Sequence, residues 1–99
     1  MINFKLINNF NKKKIALIAL LILSILLGAN LTGVDLRNKD LTGVDLRNMD
    51  LTGVNLSGVD LSNKDLTGVN LSGVDLSNKD LTGTILHHAN LNYANLSGV

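Results

Sequence analysis

Residues 54–83 read VNLSGVDLSNKDLTGVNLSGVDLSNKDLTG, one fifteen-residue block written twice without a change. Inside the block a leucine returns every five residues, and the same spacing runs outward in both directions. Leucines stand at Leu31, Leu36, Leu41, Leu46, Leu51, Leu56, Leu61, Leu66, Leu71, Leu76, Leu81, Leu86, Leu91 and Leu96, with no slip. Five is neither the period of about 3.6 of an amphipathic helix nor the two-residue alternation of a plain strand. An unbroken internal repeat of this kind decides the architecture before any local preference is weighed.

The unit is x-(Asp/Asn)-Leu-(Ser/Thr/Arg)-(Gly/Asn), as in VDLRN, KDLTG and VNLSG. Across a short extended stretch the leucine and the residue two before it point the same way, and the Asp or Asn between them points outward. The unit closes on Gly33, Asn38, Gly43, Asn48, Gly53 and their successors. These residue types tolerate the positive φ of a tight corner. Each unit is therefore one short edge and one corner, and its apolar side is buried only when further coils stack on it.

The units resemble the A(D/N)LXX motif of the pentapeptide-repeat family over residues 29–98. The resemblance implies an all-β solenoid, a right-handed quadrilateral β-helix with four units per coil. Fourteen units then give about three and a half coils, a stub of about 17 Å at a strand spacing of about 4.8 Å. The inward position two before each leucine is normally small in the family. Here it also holds Lys39, Lys64, Lys79 and Met49. A buried, unpaired ammonium is very costly, so the lysines are expected to snorkel past the coil edge or to distort it locally. Thr84, Ile85, His87 and His88 depart from the pattern around Leu86, making that face the least regular.

Composition closes the other routes to a stable small domain. The 99 residues include no cysteine, proline or tryptophan, so neither a disulfide framework nor a thiolate zinc site supports the fold. Charge divides along the chain. Lys5, Lys12, Lys13 and Lys14 lead it, whereas residues 30–99 carry eight aspartates against Arg37, Arg47 and three lysines, a formal charge of −3. A basic head on a mildly acidic body suggests a membrane address and no nucleic-acid partner.

Residues 15–28, IALIALLILSILLG, are apolar apart from Ser24 and directly follow three lysines. A helix apolar on every face needs lipid or a large core around it. The expected division is a basic cytoplasmic segment at 1–14, a hydrophobic helix at 15–29 and the repeat domain at 30–99. The run is short for a span and near the length of a signal-peptide core. Leu27 makes a poor cleavage site before Ala29, and the run can extend to Leu31 as a thin uncleaved span. Anchor and signal peptide both stay open, and either leaves Lys12–Lys14 in the cytoplasm with the repeats exported.

No reactive constellation is expected. A twenty-residue coil puts Asp40, Asp60 and Asp80 in one outward column, readable as a cation site but more simply as solvated carboxylates. Neighbouring charges there repel by roughly 1 kcal/mol or less in water. His87 and His88 lack the further ligands that a structural metal needs. Thr42, Ser62 and Thr82 form a hydroxyl column whose expected role is bonding to local backbone. With no base beside any hydroxyl and no phosphate loop, neither an enzyme nor a cofactor is indicated. The expected function is an exported or membrane-tethered structural and interaction module, its partner another protein or an envelope component. The alternative, implied by the resemblance, is a DNA mimic acting on gyrase, against which the short, mildly acidic and basic-studded coil argues. The chain stops one residue into a fifteenth unit, so an end-to-end homodimer through the C-terminal coil is also expected.

Overall fold

Fourteen β-turns, one per unit, build this fold. The structure is a computed structural model that describes residues 30–99. In every unit the N–H three residues after the leucine donates to the leucine carbonyl, from Val34 to Leu31 at 2.9 Å through to Val99 to Leu96 at 3.2 Å. Only the third residue of each turn has positive φ, the pattern of a type II turn. Glycine fills that corner at eight positions and Asn38, Asn48, Asn63, Asn78, His88 and Tyr93 at the other six, with φ of 57–62°. The corner is therefore set by the turn itself, since it is left-handed even where the residue is a histidine or a tyrosine.

Parallel bridges join residues twenty apart: Asn30 to Asp50 to Asn70 to Asn90 on a first face, and Asp35 to Asn55 and Asp75 to Asn95 on a second. The third face carries Asp40, Asp60 and Asp80; the fourth carries Asp45, Asp65 and Ile85, with a bridge from Asp65 to Ile85. Four units thus complete one turn of the coil. No edge is longer than a bridge, so the sheet-like faces are ladders of single pairs.

The leucines line the axis. Leu31, Leu36, Leu41, Leu46, Leu51, Leu56, Leu61, Leu66, Leu71 and Leu76 are buried, joined by Met49, Val54, Val59, Val69 and Val74. Leu81, Leu86 and Leu91 are half-buried and pack against this core, and Leu96 is 42% exposed. Burying one such side chain stabilises by about 1.5–3 kcal/mol. Each leucine touches mainly its own coil and the next, so the stability is a sum of neighbour terms.

Corners also stack by size. The Oδ1 atoms of Asn38, Asn48, Asn63 and Asn78 sit where a Cβ would stand on Gly58, Gly68, Gly83 and Gly98, each twenty residues later. Gly53 and Gly73, above other glycines, have nothing in that space. Gly53→Ala should therefore cost about 1–2 kcal/mol from left-handed backbone strain alone, and Gly58→Ala measurably more, because Asn38 must also move. Urea unfolding of both variants checks this, with Asn38→Gly expected to erase the difference. Leu71→Ala, in the middle of the axis, should cost about 2–5 kcal/mol in the same measurement.

Candidate functional site

The outward row of Asp and Asn is occupied by its own turns. In thirteen units the Oδ1 of this residue accepts the backbone N–H two residues on, from Asn30 and Thr32 at 2.8 Å to Asn95 and Ser97 at 3.0 Å. This is the Asx-turn, in which a short polar side chain satisfies a backbone donor. The exception is Ile85, which has no acceptor to offer His87. There Thr84 turns to the interior side and its hydroxyl donates to the Leu61 carbonyl at 2.9 Å.

The hydroxyl columns differ from expectation. Thr52, Ser57, Ser62 and Thr67 donate their hydroxyls to the Oδ1 of the Asp or Asn two residues before. They join the turn cap through its side chain and do not bond local backbone directly. A carboxylate with two donors on one oxygen is well satisfied, so these residues reinforce each other and do not form a free ladder. Arg37 and Arg47 take the same place in their units. Their guanidinium groups fork onto Asp35 and Asp45, with closest approaches of 2.7 and 2.9 Å.

The electrostatics follow from these bonds. The Arg37 side chain, then the Arg37 backbone N–H, hold Asp35 down at about 2, and Arg47 does the same for Asp45. Asp50, Asp60, Asp65, Asp75 and Asp80 are lowered by the hydroxyl and then the N–H of their own caps. In the third-face column Asp80 pushes Asp60 up, yet the Ser62 donors outweigh it. Asp60 and Asp80 are thus capped carboxylates held below their ordinary range, and Asp40 carries the same backbone cap. Among the described residues no group of three His, Cys, Asp or Glu side chains is placed to hold a metal ion. His87 and His88 are both exposed, His88 at the left-handed corner.

The lysines at inward positions behave differently from the rest. Lys39, Lys64 and Lys79 are half-buried. The Lys64 ammonium donates to the Val44 carbonyl at 3.1 Å, and that of Lys79 to Val59 at 2.8 Å, each in the coil beneath. Burial lowers both lysines, against the pull of Asp40 and Asp45 on Lys64 and of Asp60 and Asp75 on Lys79. Since the folded state holds these protons less tightly than the unfolded chain, this contribution to stability grows as pH rises toward 10.5.

The pentapeptide-repeat family, described as "Pentapeptide repeats", matches residues 24–63 and 65–99 in eight copies. The chain belongs to this family. Its members fold as right-handed quadrilateral β-helices, which is the four-faced coil seen here. Solved relatives include HetL from Nostoc sp. strain PCC 7120, a pentapeptide-repeat protein involved in heterocyst differentiation regulation. HetL is 34% identical over 72% of this chain, with a TM-score of 0.50, and the chain spans 31% of its length. The pentapeptide-repeat protein alr5209 from the same cyanobacterium is 36% identical, with 81% of this chain and 71% of that one covered and a TM-score of 0.46. A third, Rfr23 from Cyanothece 51142, is 32% identical over 70% of this chain and 47% of its own, with a TM-score of 0.38. No curated protein matches the sequence.

In this pentapeptide-repeat chain the caps predict a defined acid response. Asp35 and Asp45 carry folded-state values of about 2 against an ordinary 3.8. Their contribution to stability is complete above pH 3.8 and is lost as pH falls through about 2. Carboxyl NMR titration should show these two as the last carboxylates to protonate. Arg37→Ala should move Asp35 alone back toward its ordinary value. Asp60→Ala should lower the thermal midpoint, while Asp60→Asn, which keeps the acceptor, should leave it close to wild type.

Proposed function

We propose that this pentapeptide-repeat chain is a non-enzymatic structural and interaction module, exported or tethered to a membrane, whose coil presents a polar surface to another protein or an envelope component. The observation that carries the first half is the use made of the outward side chains. Thirteen Asp and Asn acceptors cap their own turns, and four neighbouring hydroxyls donate to those same acceptors. Nucleophilic catalysis needs a hydroxyl within reach of an uncommitted base; these pairs bond groups already engaged in holding a corner. A surface so committed is rigid and regular, which suits display and docking.

The location rests on residues 12–28, three lysines followed by fourteen almost wholly apolar residues. They lie outside the described residues; among the described residues no helix is long and apolar enough to cross a membrane. The regulatory involvement of HetL is a property of a protein of whose length this chain matches 31%, and it is not transferred. The DNA-mimic alternative is weakened by the arginine forks, since Arg37 and Arg47 neutralise two of the eight aspartates that such a surface would need.

Expression of the full chain in a bacterium, followed by fractionation, external proteolysis and intact mass, tests the location. The expected result is a membrane-bound full-length species with repeats cut from outside, or a released species lacking the first 28 or so residues. A full-length cytosolic product would overturn export and make gyrase inhibition the next assay.

A further inference from the structure

The turn caps are distributed unevenly around the coil. All five asparagine caps, Asn30, Asn55, Asn70, Asn90 and Asn95, stand on the first and second faces. The caps of the third and fourth faces are aspartates throughout, Asp40, Asp45, Asp60, Asp65 and Asp80. On the amide-bearing side charge also thins toward the C-terminal end. In its last two levels, residues 69–78 and 89–98, Asp75 is the single charged side chain. Asp75 caps its own turn, accepting the Ser77 N–H at 2.9 Å.

An asparagine cap differs from an aspartate cap in what it shows to solvent. Its Oδ1 is taken by the turn N–H, so the Nδ2 amide faces outward as a donor of set direction. The backbone beneath is held too. On the first face the Leu71 N–H donates to the Asn90 carbonyl at 2.8 Å and that of Gly73 to Asn92 at 2.9 Å. On the second face the Leu76 N–H donates to the Asn95 carbonyl at 2.9 Å. Asn90 and Asn95 are therefore preorganised neutral donors, and Asn92 between them is exposed.

These two faces meet at the corner column Gly33, Gly53, Gly73 and Tyr93. Three levels place glycine there, and the fourth places the one tyrosine of the chain. Tyr93 adopts a left-handed φ of 62°, which a bulky side chain disfavours. Its ring is 94% exposed, so packing within the described residues does not offset that strain. Below it Gly73 leaves open the space where a side chain would stand. Leu96, exposed as well, belongs to the inward row, whereas Tyr93 stands on the outer corner. A flat ring between rigid amide donors suits a ligand with an apolar face and a rim of hydroxyls.

We propose that Tyr93, with Asn90, Asn92 and Asn95, forms a binding platform for a neutral oligosaccharide. A pyranose ring presents C–H groups that stack on the electron-rich aromatic face, and rim oxygens that accept amide protons. An anionic ligand would meet no cationic side chain in these levels, and a peptide anchor no apolar pocket. This rests on the reading of the chain as an interaction module and names the chemistry of its partner; export plays no part in it.

Tyr93 is the one tyrosine and the chain has no tryptophan, so tyrosine emission reports this platform alone. The purified full chain, in a zwitterionic detergent without a sugar headgroup, is titrated with cellohexaose, maltohexaose and chitohexaose. At least one should give a saturable change at millimolar concentration, and anionic oligogalacturonate should give none. Tyr93→Gly installs the residue of the three lower corners and removes the strain, so the fold is expected to persist. It should weaken binding of the same sugar about tenfold, read from the asparagine side-chain amides by NMR. Because purified protein is used, a cytosolic location found by fractionation would leave the platform standing. No saturable change with any of the three sugars would overturn it, as would unchanged affinity in Tyr93→Gly or a response to oligogalacturonate alone. Emission that shifts with protein concentration in the absence of sugar would put a second copy on the platform and overturn it as well.

Discussion

Everything in this molecule depends on a backbone corner that must turn left-handed once every five residues. The corner brings the leucine carbonyl and the N–H three residues later together, reverses nothing, and sends the next edge off at the side of a square. Four such corners return the chain above its own start, twenty residues on. Only then do leucines fall over leucines and gain a covering layer. The core is thus a product of the turn and not the reverse, which is why Tyr93 occupies a left-handed corner that its side chain does not favour.

Most of this was legible from spacing. The leucine period gave the axis, and the alternation of Gly and Asn marked the corners. Legibility failed where the partner of a side chain lies a full coil away. That Lys64 and Lys79 face inward follows from their place in the unit, but that each ends on a valine carbonyl twenty residues earlier depends on the coil beneath, which no local pattern encodes. The turn caps are a different kind of miss. Asp or Asn followed two residues later by Ser or Thr is a local signal for a side chain bonding the N–H ahead of it. Reading the aspartates as solvated charges overlooked it. The hydroxyls bond the side-chain oxygen of the cap, a carboxylate in three units and the Asn55 amide in the fourth.

The polar surface and the apolar axis therefore serve one end. A short coil without cysteine, its axis lined by leucine and valine, has little apolar surface to bury, and each unit compensates by satisfying its own turn donors locally. Among the described residues no buried side-chain nitrogen or oxygen lacks a partner. The unit at Ile85 shows the cost of leaving the scheme: its cap is lost, Ile85 is 43% exposed, and Thr84 spends its hydroxyl on the interior.

The corner stacking also bears on how such a chain can lengthen. Each corner asparagine has glycine in the coil above, where its Oδ1 fills the space that a Cβ would take. A copied block of fifteen residues holds three units, with corners Gly58, Asn63 and Gly68 repeated as Gly73, Asn78 and Gly83. Because a coil holds four units, each copy lands one face out of phase, and every asparagine automatically meets a glycine. Copying one whole coil would set asparagine on asparagine and lysine on lysine at every level. A duplicated length that disagrees with the coil length thus keeps every corner asparagine under a glycine, whereas identical successive coils would require each asparagine side chain to move.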